Sequence, residues 1–433
     1  MLPGHTASAA PIPQFTDSES VALKVLPCLL DIGESMILAG ADVNLVELLV
    51  RRVGHAYGAV KMNVLVITAS IIVTMTMPDT REYTQTRRIE NAGETDFAKL
   101  EKLTNLCIES YQKPIPPDEL KRRFEEIRSI AFPKSFLFVG GVIASASFAV
   151  FFGGSILDGV VTAVFAVLMC LMIVYLKPIT PNTIAFNFMS CAITGLCIGA
   201  ASLFVPNMSV DMVIIGVIML LIPGVAMTNA TRDMISGDTI SGVMRFVETI
   251  LWAASIALGF MASLWIMGVQ TSEFISNAPP LISFIACIPA TFGFALFFDV
   301  RKSLLAITTI GGVITWGIYL LLSEYVSADA FTPTFIASCF AAIYSEVLAK
   351  RFRTPTSTFF IISVIPLVPG RALYFTMKCA LLGSWAQFGD YGLLTLQFVL
   401  GIALSISVVW AISRTWSNFR NERDKRYSQK KAG

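Results

Sequence analysis

The dipeptide Pro-Gly interrupts two long apolar stretches of this chain, as Pro223-Gly224 in LLIPGVAM and as Pro369-Gly370 in PLVPGRAL. The two dipeptides lie 146 residues apart, and the same offset relates FAVFF at 148–152 to FALFF at 294–298. Proline removes a helical hydrogen bond and glycine tolerates the resulting bend, so each stretch is predicted to be a broken helix. The shared offset predicts an internal repeat.

Hydrophobic and charged residues are unevenly distributed. The 433 residues are 55% hydrophobic and 14% charged, with a mean hydropathy of +0.70, which is too apolar for a soluble domain. Residues 1–131 nevertheless hold 31 of the 62 charged residues. A small domain outside the membrane is therefore predicted to precede a membrane domain. The net charge of +2 gives no reason to expect nucleic-acid binding.

The membrane half is predicted to contain ten spans of about the length that crosses a bilayer. They are placed at 135–153, 158–176, 183–204, 210–235, 240–266, 280–298, 303–322, 330–349, 356–383 and 393–413. One set of alternate loops then receives the basic residues Lys177, Arg232, Arg301, Lys302, Lys350, Arg351 and Arg353. The opposite loops hold Lys378 with the acidic residues Glu273, Glu324, Asp329 and Asp390. The positive-inside rule places both termini in the cytoplasm. The chain is expected to lie in the plasma (inner) membrane.

These features define a polytopic α-helical membrane protein with a small N-terminal α+β cytoplasmic domain. Because each predicted repeat has five spans, an odd number, the two repeats should have inverted orientations in the bilayer. The predicted divisions are a disordered tail (1–18), the cytoplasmic domain (19–131), two five-helix repeats (132–268 and 279–413) and a basic cytoplasmic tail (414–433).

The cytoplasmic domain has clear local signals. Residues 19–38 are predicted to form a helix, and Asp42 is predicted to cap a second. The stretches 60–77 and 80–90 predict two or three antiparallel strands. Thr95 is predicted to cap a further helix, and Pro117 to open the last one.

Cysteine and histidine usage indicates neither a disulfide framework nor a metal site. Six of the eight cysteines lie in apolar segments and are expected to be free, buried thiols. The two histidines, His5 and His55, are too far apart in sequence to suggest a metal site, and no cofactor is expected.

Paired, interrupted membrane segments in corresponding halves point to the binding site of a secondary transporter. A helix that restarts at Pro-Gly offers free backbone N–H groups to an anion, and ionisable residues within spans usually mark a pathway or a pair. The predicted substrate-binding residues are Pro223, Gly224, Thr228, Asn229, Arg232, Arg245, Pro369, Gly370 and Arg371. The predicted proton-coupling residues are Asp233, Asp238, Glu248 and Glu346.

Structural alternatives stay open for several of these residues. Arg232 and Asp233 would also suit a loop anchor, and Arg245 and Glu248, three residues apart on one helix, would also suit a structural pair. The Pro-Gly breaks would also serve as simple kinks. Asn187 and Ser190 are interpreted as polar contacts between helices.

The chain resembles the threonine/serine exporter family from about residue 22 to 413. The resemblance rests on IPGVAMTNATRDMISGDTISGVMRFVE, on the upstream GADVNLVELLVRRVGHAYG and on the later PLVPG. The family pattern maps onto Gly40, Glu47, Pro223, Gly224, Asn229, Asp233, Gly237, Gly242, Arg245, Pro366, Pro369 and Gly370. Leu45 departs from it, because many members have arginine there. The resemblance implies a cytoplasmic domain and two five-span modules, which in some relatives are separate proteins associated with succinate export.

The leading hypothesis is a proton-coupled exporter of threonine or serine that is not an enzyme. The alternatives are a dicarboxylate (succinate) exporter and, from another class, a membrane-anchored hydrolase using Glu34 and Ser35. The expected partners are the small-molecule substrate, protons and the lipid bilayer. The sequence is also compatible with a homo-oligomer.

Overall fold

A computed structural model describes residues 18–432 except 68, 90–94, 132, 236, 270–277 and 327–328. The predicted disordered tail lies outside the described residues except for Ser18. The N-terminal domain contains four helices and a three-stranded sheet. Their bounds are α1 Ser18–Leu38, α2 Val43–Ala56, β1 Lys61–Ile67, β2 Ser70–Thr76, β3 Glu82–Arg88, α3 Phe97–Gln112 and α4 Pro117–Arg128.

The sheet of this domain is antiparallel, in the order β1-β2-β3. Val64 of β1 pairs with Val73 of β2, which pairs in turn with Gln85 of β3. Alternate residues of β1 and β2 are buried, so one face of the sheet packs on the helices. The predicted α+β character of the domain is confirmed.

Two helix caps show how far local sequence determines these boundaries. Asp42 caps α2 as predicted, because its Oδ1 accepts a hydrogen bond of 2.9 Å from the Leu45 N–H. The prediction for Thr95 was wrong. The cap of α3 is the next residue, Asp96, whose carboxylate accepts the Lys99 N–H at 2.8 Å.

In its described residues, the membrane half contains helices joined by turns and short loops, and no strand. Its helices are α5 Lys134–Phe151, α6 Ile156–Leu171, α7 Thr183–Ser202, α8 Val210–Ile218, α9 Gly224–Ile235, α10 Thr239–Met267, α11 Pro280–Phe297, α12 Leu305–Tyr325, α13 Phe331–Phe352, α14 Thr356–Val364, α15 Gly370–Leu382 and α16 Trp385–Ala432. Helix α6 continues through a π-helical turn (Met172–Leu176) and a 3-10 turn (Lys177–Ile179). Short 3-10 turns also occur at Lys302–Leu304 and Ile365–Leu367.

Among the described residues, eight helical segments are long and apolar enough to cross a membrane, or nine if the bent pair α14–α15 counts as one span. The predicted count of ten spans is therefore not confirmed. The eight segments correspond to eight predicted spans, and the remaining two are the spans with Pro-Gly. Each of these is divided, into α8 and α9 or into α14 and α15, and the second is bent by 55°.

Helix packing is similar in the two halves. In the first half α5 packs on α6 and α8, and α7 packs on α10; in the second, α11 packs on α12 and α14, and α13 packs on α16. The halves meet where α5 crosses α11. A Cβ added to Gly140 would lie 2.6 Å from the Gly293 carbonyl oxygen, and one added to Gly293 would lie 2.8 Å from the Gly140 carbonyl oxygen. Only glycine allows two backbones to approach this closely.

The N-terminal domain is attached to the membrane helices through α3. The Phe97 and Ala98 N–H groups, at the first turn of α3, donate to the carbonyls of Phe298 and Asp299 at 3.0 and 3.1 Å. Such N–H groups have no partner within their own helix. Glu101 then accepts from Arg301 at 2.8 Å. The loop that follows α11 therefore lies on the same side as the N-terminal domain.

The described cysteines form no disulfide. Four of the six in apolar segments are buried, but Cys197 is exposed and Cys339 is half-buried. The expectation of buried thiols was therefore wrong for Cys197 and Cys339, because they lie on outward-facing sides of α7 and α13.

Candidate functional site

The two Pro-Gly breaks pack against each other. A Cβ on Gly224 would lie 2.0 Å from Val368 Cγ1, the side chain just before the second break. A Cβ on Gly370 would lie 3.0 Å from Ile222 Cγ2, the side chain just before the first. The contact is thus reciprocal. It brings the N-terminal ends of α9 and α15 close together.

A cavity of about 290 Å³, here called the break cavity, lies beside this contact. Its walls come from the first break, from α10, α11 and α14, and from the N-terminal domain. Pro223, Asn229, Arg245 and Val368 line it on the membrane side. Gly40, Ala41 and Thr95 line it on the other, and Gly40 has a φ of +95°, which favours glycine.

Arg245 provides the charge in the lining of the break cavity. Its Nη1 atom lies 3.0 Å from Oδ2 of Asp233, whose side chain is fully buried. Arg232 approaches the other oxygen of the same carboxylate at 3.4 Å. Asp233 therefore holds two guanidinium groups in place, and Arg245 keeps donors that can face the cavity.

The expected structural pair of Arg245 and Glu248 does not form. Arg245 turns to Asp233 instead, and Glu248 lies half-buried one turn further along α10 without an ion-pair partner among the described residues. Asp238 precedes α10, and its backbone N–H donates to the Asp233 carbonyl at 3.0 Å. Three of the predicted proton-coupling carboxylates therefore lie within one helix–turn–helix unit.

Two further polar residues of α9, Thr228 and Asn229, differ in whether their side chains are free to bind a ligand. Thr228 is buried and donates its hydroxyl to the Gly224 carbonyl at 3.0 Å, so it is bonded within its own helix. Asn229 is half-buried and lines the break cavity. Of the two, only Asn229 is placed to contact a ligand in this cavity.

The second half contributes the residue before its Pro-Gly break to the break cavity, but its predicted site charges, Arg371 and Glu346, do not line this cavity. Arg371 Nη1 lies 3.3 Å from the Phe152 carbonyl, and its guanidinium sits over the Phe152 and Phe375 rings, so it is directed towards α5. Glu346 contacts Lys350 at 3.0 Å and the Ser413 hydroxyl on α16. Neither residue lines the break cavity, so this structure does not group them with Arg245.

A buried ion pair joins the two broken spans at another point. Lys378 of α15 lies 3.4 Å from Asp211 of α8, and their side chains are 8% and 5% exposed. Lys378 was predicted to lie in a loop, which was wrong, because α15 extends to Leu382 and encloses it. Asp211 was not among the predicted site residues. Its position in an apolar span was the available signal.

A second cavity, of about 210 Å³ and here called the Asn187 cavity, lies next to the first. The two share the lining residues Thr95, Leu220, Pro223 and Phe298. Asn187 on α7 is 3% exposed and lines this cavity. The interpretation of Asn187 as a polar contact between helices was wrong, because its amide has no hydrogen-bond partner among the described residues. Ser190 instead donates to the Phe186 carbonyl of its own helix, at 2.7 Å.

The residues considered for hydrolysis have structural partners. Glu34 lies 3.7 Å from Arg87 on β3, which also contacts Asp31. The His55 ring is bonded at 2.8 Å to the Ala59 carbonyl. The geometry therefore gives Glu34 and Ser35 no histidine partner among the described residues.

Comparison with known proteins gives matches over most of the chain. The family model described as "Putative threonine/serine exporter" matches residues 28–267, and "Threonine/Serine exporter, ThrE" matches residues 283–412. The "Threonine/serine exporter" of Corynebacterium glutamicum is 23% identical over 87% of this chain and 80% of its own length. The "Probable succinate transporter subunit YjjP" of Klebsiella aerogenes is 24% identical over 53% of this chain and 89% of its own length.

The Escherichia coli protein of the same name is 23% identical over 55% of this chain and 93% of its own length. No solved structure gives a significant match. The two family models together span both halves of the membrane part and most of the N-terminal domain. The chain belongs to the threonine/serine exporter family.

Proposed function

We propose that this protein is a secondary transporter that exports threonine or serine, driven by the proton gradient. The observation that carries the proposal is the reciprocal contact of the two breaks beside a cavity that contains Arg245. A structural anchor has no need for paired breaks, whereas a carrier uses them to present helix ends to its cargo. The same reasoning favours a protein that is not an enzyme.

The cargo carboxylate is assigned to Arg245. Its guanidinium is fixed by Asp233 and lines the break cavity, and a guanidinium binds a carboxylate through two parallel hydrogen bonds. Asn229 adds an amide in the same cavity. The N-terminus of α9, which starts at Gly224, adds backbone N–H groups that favour an anion. Thr228, bonded to the Gly224 carbonyl, and Arg232, bonded to Asp233, stabilise this region without contacting the cargo.

The coupled proton is assigned first to Glu248. Asp233 holds two arginines, so a proton accepted there at each cycle would break both ion pairs and release Arg245. Glu248 is half-buried and has no ion-pair partner among the described residues. Asp238 is the second choice. Glu346, bonded to Lys350 and Ser413, is a weaker one.

The topology of the proposal is an inverted repeat with both termini in the cytoplasm of a plasma membrane. The matching helix contacts of the two halves and the reciprocal contacts of Gly140 with Gly293 support a two-fold relation between them. The N-terminal domain contacts Arg301, in one of the basic loops. This is the arrangement expected if both lie in the cytoplasm.

A dicarboxylate is the second candidate cargo, and one observation favours it. The described residues that line the two cavities include Arg245 in one and Lys177 in the other, and no carboxylate. Two cations suit two carboxylates, whereas the ammonium group of an amino acid would find only aromatic faces, such as that of Phe298, and no anion in this lining. Against it, the threonine/serine exporter of C. glutamicum aligns with both halves of this chain, as one protein.

Counterflow in proteoliposomes tests the proposal and separates the two cargoes. Purified protein is reconstituted into vesicles loaded with unlabelled threonine, serine or succinate, and uptake of the labelled compound is followed. We expect exchange of threonine and serine, stimulated by an imposed pH gradient. Exchange of succinate alone would favour the second candidate. No exchange of any of the three would contradict the proposed function.

A further inference from the structure

Thr95 of the N-terminal domain lines the break cavity with a hydroxyl that the fold does not use. It lies just before α3, but the cap of that helix is Asp96, so the Thr95 hydroxyl takes no part in capping. The side chain is half-buried and makes no hydrogen bond to any described residue. A hydroxyl in this position is available to a ligand, as donor and as acceptor.

The backbone around Thr95 is held from both sides. The N–H groups of the next two residues donate to the carbonyls of Ala39, in the turn between α1 and α2, and of Phe298, in the membrane half, at 3.2 and 3.0 Å. Thr95 also packs on Gly40, because a Cβ added to that glycine would lie 3.0 Å from Thr95 Cγ2. A group held in this way does not have to be ordered when a ligand binds.

Polar side chains are few in the break cavity. Among the described lining residues only Thr95, Asn229 and Arg245 have one, and the others are apolar residues or glycine. A small number of polar groups in an apolar cavity sets the orientation and the specificity of a bound molecule. Arg245 and Asn229 belong to the membrane half and Thr95 to the N-terminal domain, so the two parts of the chain form this cavity together.

The polar side chains differ in what they can bind. Arg245 is charged and is assigned above to the cargo carboxylate. Thr95 is neutral, and its hydroxyl both donates and accepts, so a neutral group that does the same is its best match. Threonine and serine have such a group in their own hydroxyl, whereas succinate has none.

We propose that Thr95 is a specificity-determining residue that binds the hydroxyl of the cargo, which makes the N-terminal domain part of the cargo site. The proposal rests on the proposed function in taking the cargo to be threonine or serine. It gives the N-terminal domain a direct part in selecting the cargo.

The experiment compares each cargo with the analogue that lacks only the hydroxyl. Unlabelled threonine and 2-aminobutyrate, and likewise serine and alanine, compete with labelled threonine in counterflow, and the concentration that halves exchange is measured for each. The wild type should favour threonine over 2-aminobutyrate, because a site that bonds a hydroxyl rejects the analogue without it. Thr95→Val keeps the shape and removes the hydroxyl, so it should weaken threonine by roughly three- to tenfold and leave 2-aminobutyrate unchanged.

Matched variants assign the preference to Thr95. Thr95→Ser keeps the hydroxyl and should keep the preference, and Thr95→Ala is a second removal should Thr95→Val fail to fold. Thr104→Val removes a buried hydroxyl from α3 that has no hydrogen-bond partner among the described residues and lines neither cavity, so it should change nothing. A Thr95→Val protein that keeps the preference, or that weakens threonine and 2-aminobutyrate equally, would overturn the proposal.

Binding measured without transport separates this proposal from the proposed function. The stabilisation of the purified protein against thermal unfolding by the same four compounds reports their relative affinities. A protein that binds threonine with the hydroxyl preference but exchanges nothing in counterflow would contradict the proposed function and leave the role of Thr95 standing. A protein that exchanges threonine and 2-aminobutyrate equally well would overturn the role of Thr95 and leave the proposed function standing.

Discussion

Gly224 and Val368 lie so close that a methyl group on the glycine would stand 2.0 Å from Val368 Cγ1. Proline explains why each span breaks, but this distance explains why glycine follows the proline. With Val368 and Ile222 in place, the two breaks can pack this closely only if the residue that follows each proline has no side chain. A kink alone would not require this.

The first prediction tests that contact. Gly224→Ala should overpack the junction, lower stability by about 1–3 kcal/mol and reduce exchange strongly. Val368→Ala makes room, so the double variant Gly224→Ala/Val368→Ala should regain much of the activity. Counterflow and thermal unfolding of the three proteins provide the measurement. Gly389→Ala, at a glycine with open space around it, is the control. A double variant as damaged as Gly224→Ala would contradict the explanation.

The second prediction separates binding from coupling. Glu248→Gln imitates a permanently protonated carboxyl, so it should abolish efflux driven by a pH gradient but preserve exchange of cargo. Arg245→Met should reduce both modes and weaken cargo binding by roughly tenfold or more, because a charged hydrogen bond is lost. The measurement is counterflow with and without a pH gradient. If pH-driven efflux survives in Glu248→Gln, Asp238 or Glu346 becomes the better proton carrier.

The third prediction concerns the buried pair of Asp211 and Lys378. Lys378→Met alone should destabilise the protein by about 3–5 kcal/mol, because it leaves a buried carboxylate without its cation. The double variant Asp211→Asn/Lys378→Met should be more stable than Lys378→Met, since no buried charge remains unpaired. Thermal unfolding in detergent gives the comparison. Additive losses would show that the two charges do not interact.

The fourth prediction concerns pH and Glu47, on α2 of the N-terminal domain. Burial raises the pKa of this carboxyl above its usual 4.5, and the nearby Asp238 carboxylate raises it further. Glu47 also accepts a hydrogen bond of 3.1 Å from the Val66 N–H, and this bond acts in the opposite direction by lowering the pKa. A group that binds its proton more tightly in the folded state favours folding most below pH 4.5 and loses that contribution as the pH rises through its folded pKa.

Stability should therefore fall more steeply for the wild type than for Glu47→Gln as the pH rises above about 4.5. Glutamine keeps the acceptor for Val66 but cannot ionise. Melting temperatures of both proteins, measured from pH 5 upwards in steps, provide the test. Parallel curves would show that ionised Glu47 is not disfavoured in the folded protein.

The fifth prediction is the topology. A membrane-impermeant thiol reagent added outside intact cells should label Asp329→Cys and should not label Arg301→Cys or Arg351→Cys. The predicted external site Glu273 lies outside the described residues and serves as an additional position. The reverse labelling pattern would contradict both the orientation and the inverted repeat.

Sequence alone predicted the local features well, because their causes lie within a few residues. Asp42 caps α2, and the β-branched stretch forms the strands, as their patterns indicated. Thr95 and Asp96 are adjacent and both suited to capping, so a local pattern could not decide between them. The count of ten spans is not confirmed, because hydropathy measures how apolar a stretch is and does not show whether a stretch broken at Pro-Gly crosses the membrane as one span.

The site was harder to predict from the sequence, because its contacts join distant parts of the chain. Asp211 and Lys378 are 167 residues apart, and only the packing of α8 on α15 brings them together. Arg245 had an acidic neighbour one turn away, yet its partner is Asp233 on the preceding helix. Proximity in sequence favoured the wrong carboxylate. The lining of the Asn187 cavity likewise comes from the N-terminal domain and from several membrane helices.

Where α5 crosses α11 at Gly140 and Gly293, each half of the membrane part leaves backbone uncovered by its own helices. Gly140 and Gly293 each expose a strip of backbone that only the other half covers. In a single chain the connecting segment after Met267 holds the halves at a high effective concentration, so even a modest intrinsic affinity suffices. If that segment were cut, the same affinity would become limiting, and assembly would depend on the amounts in which the two pieces are made.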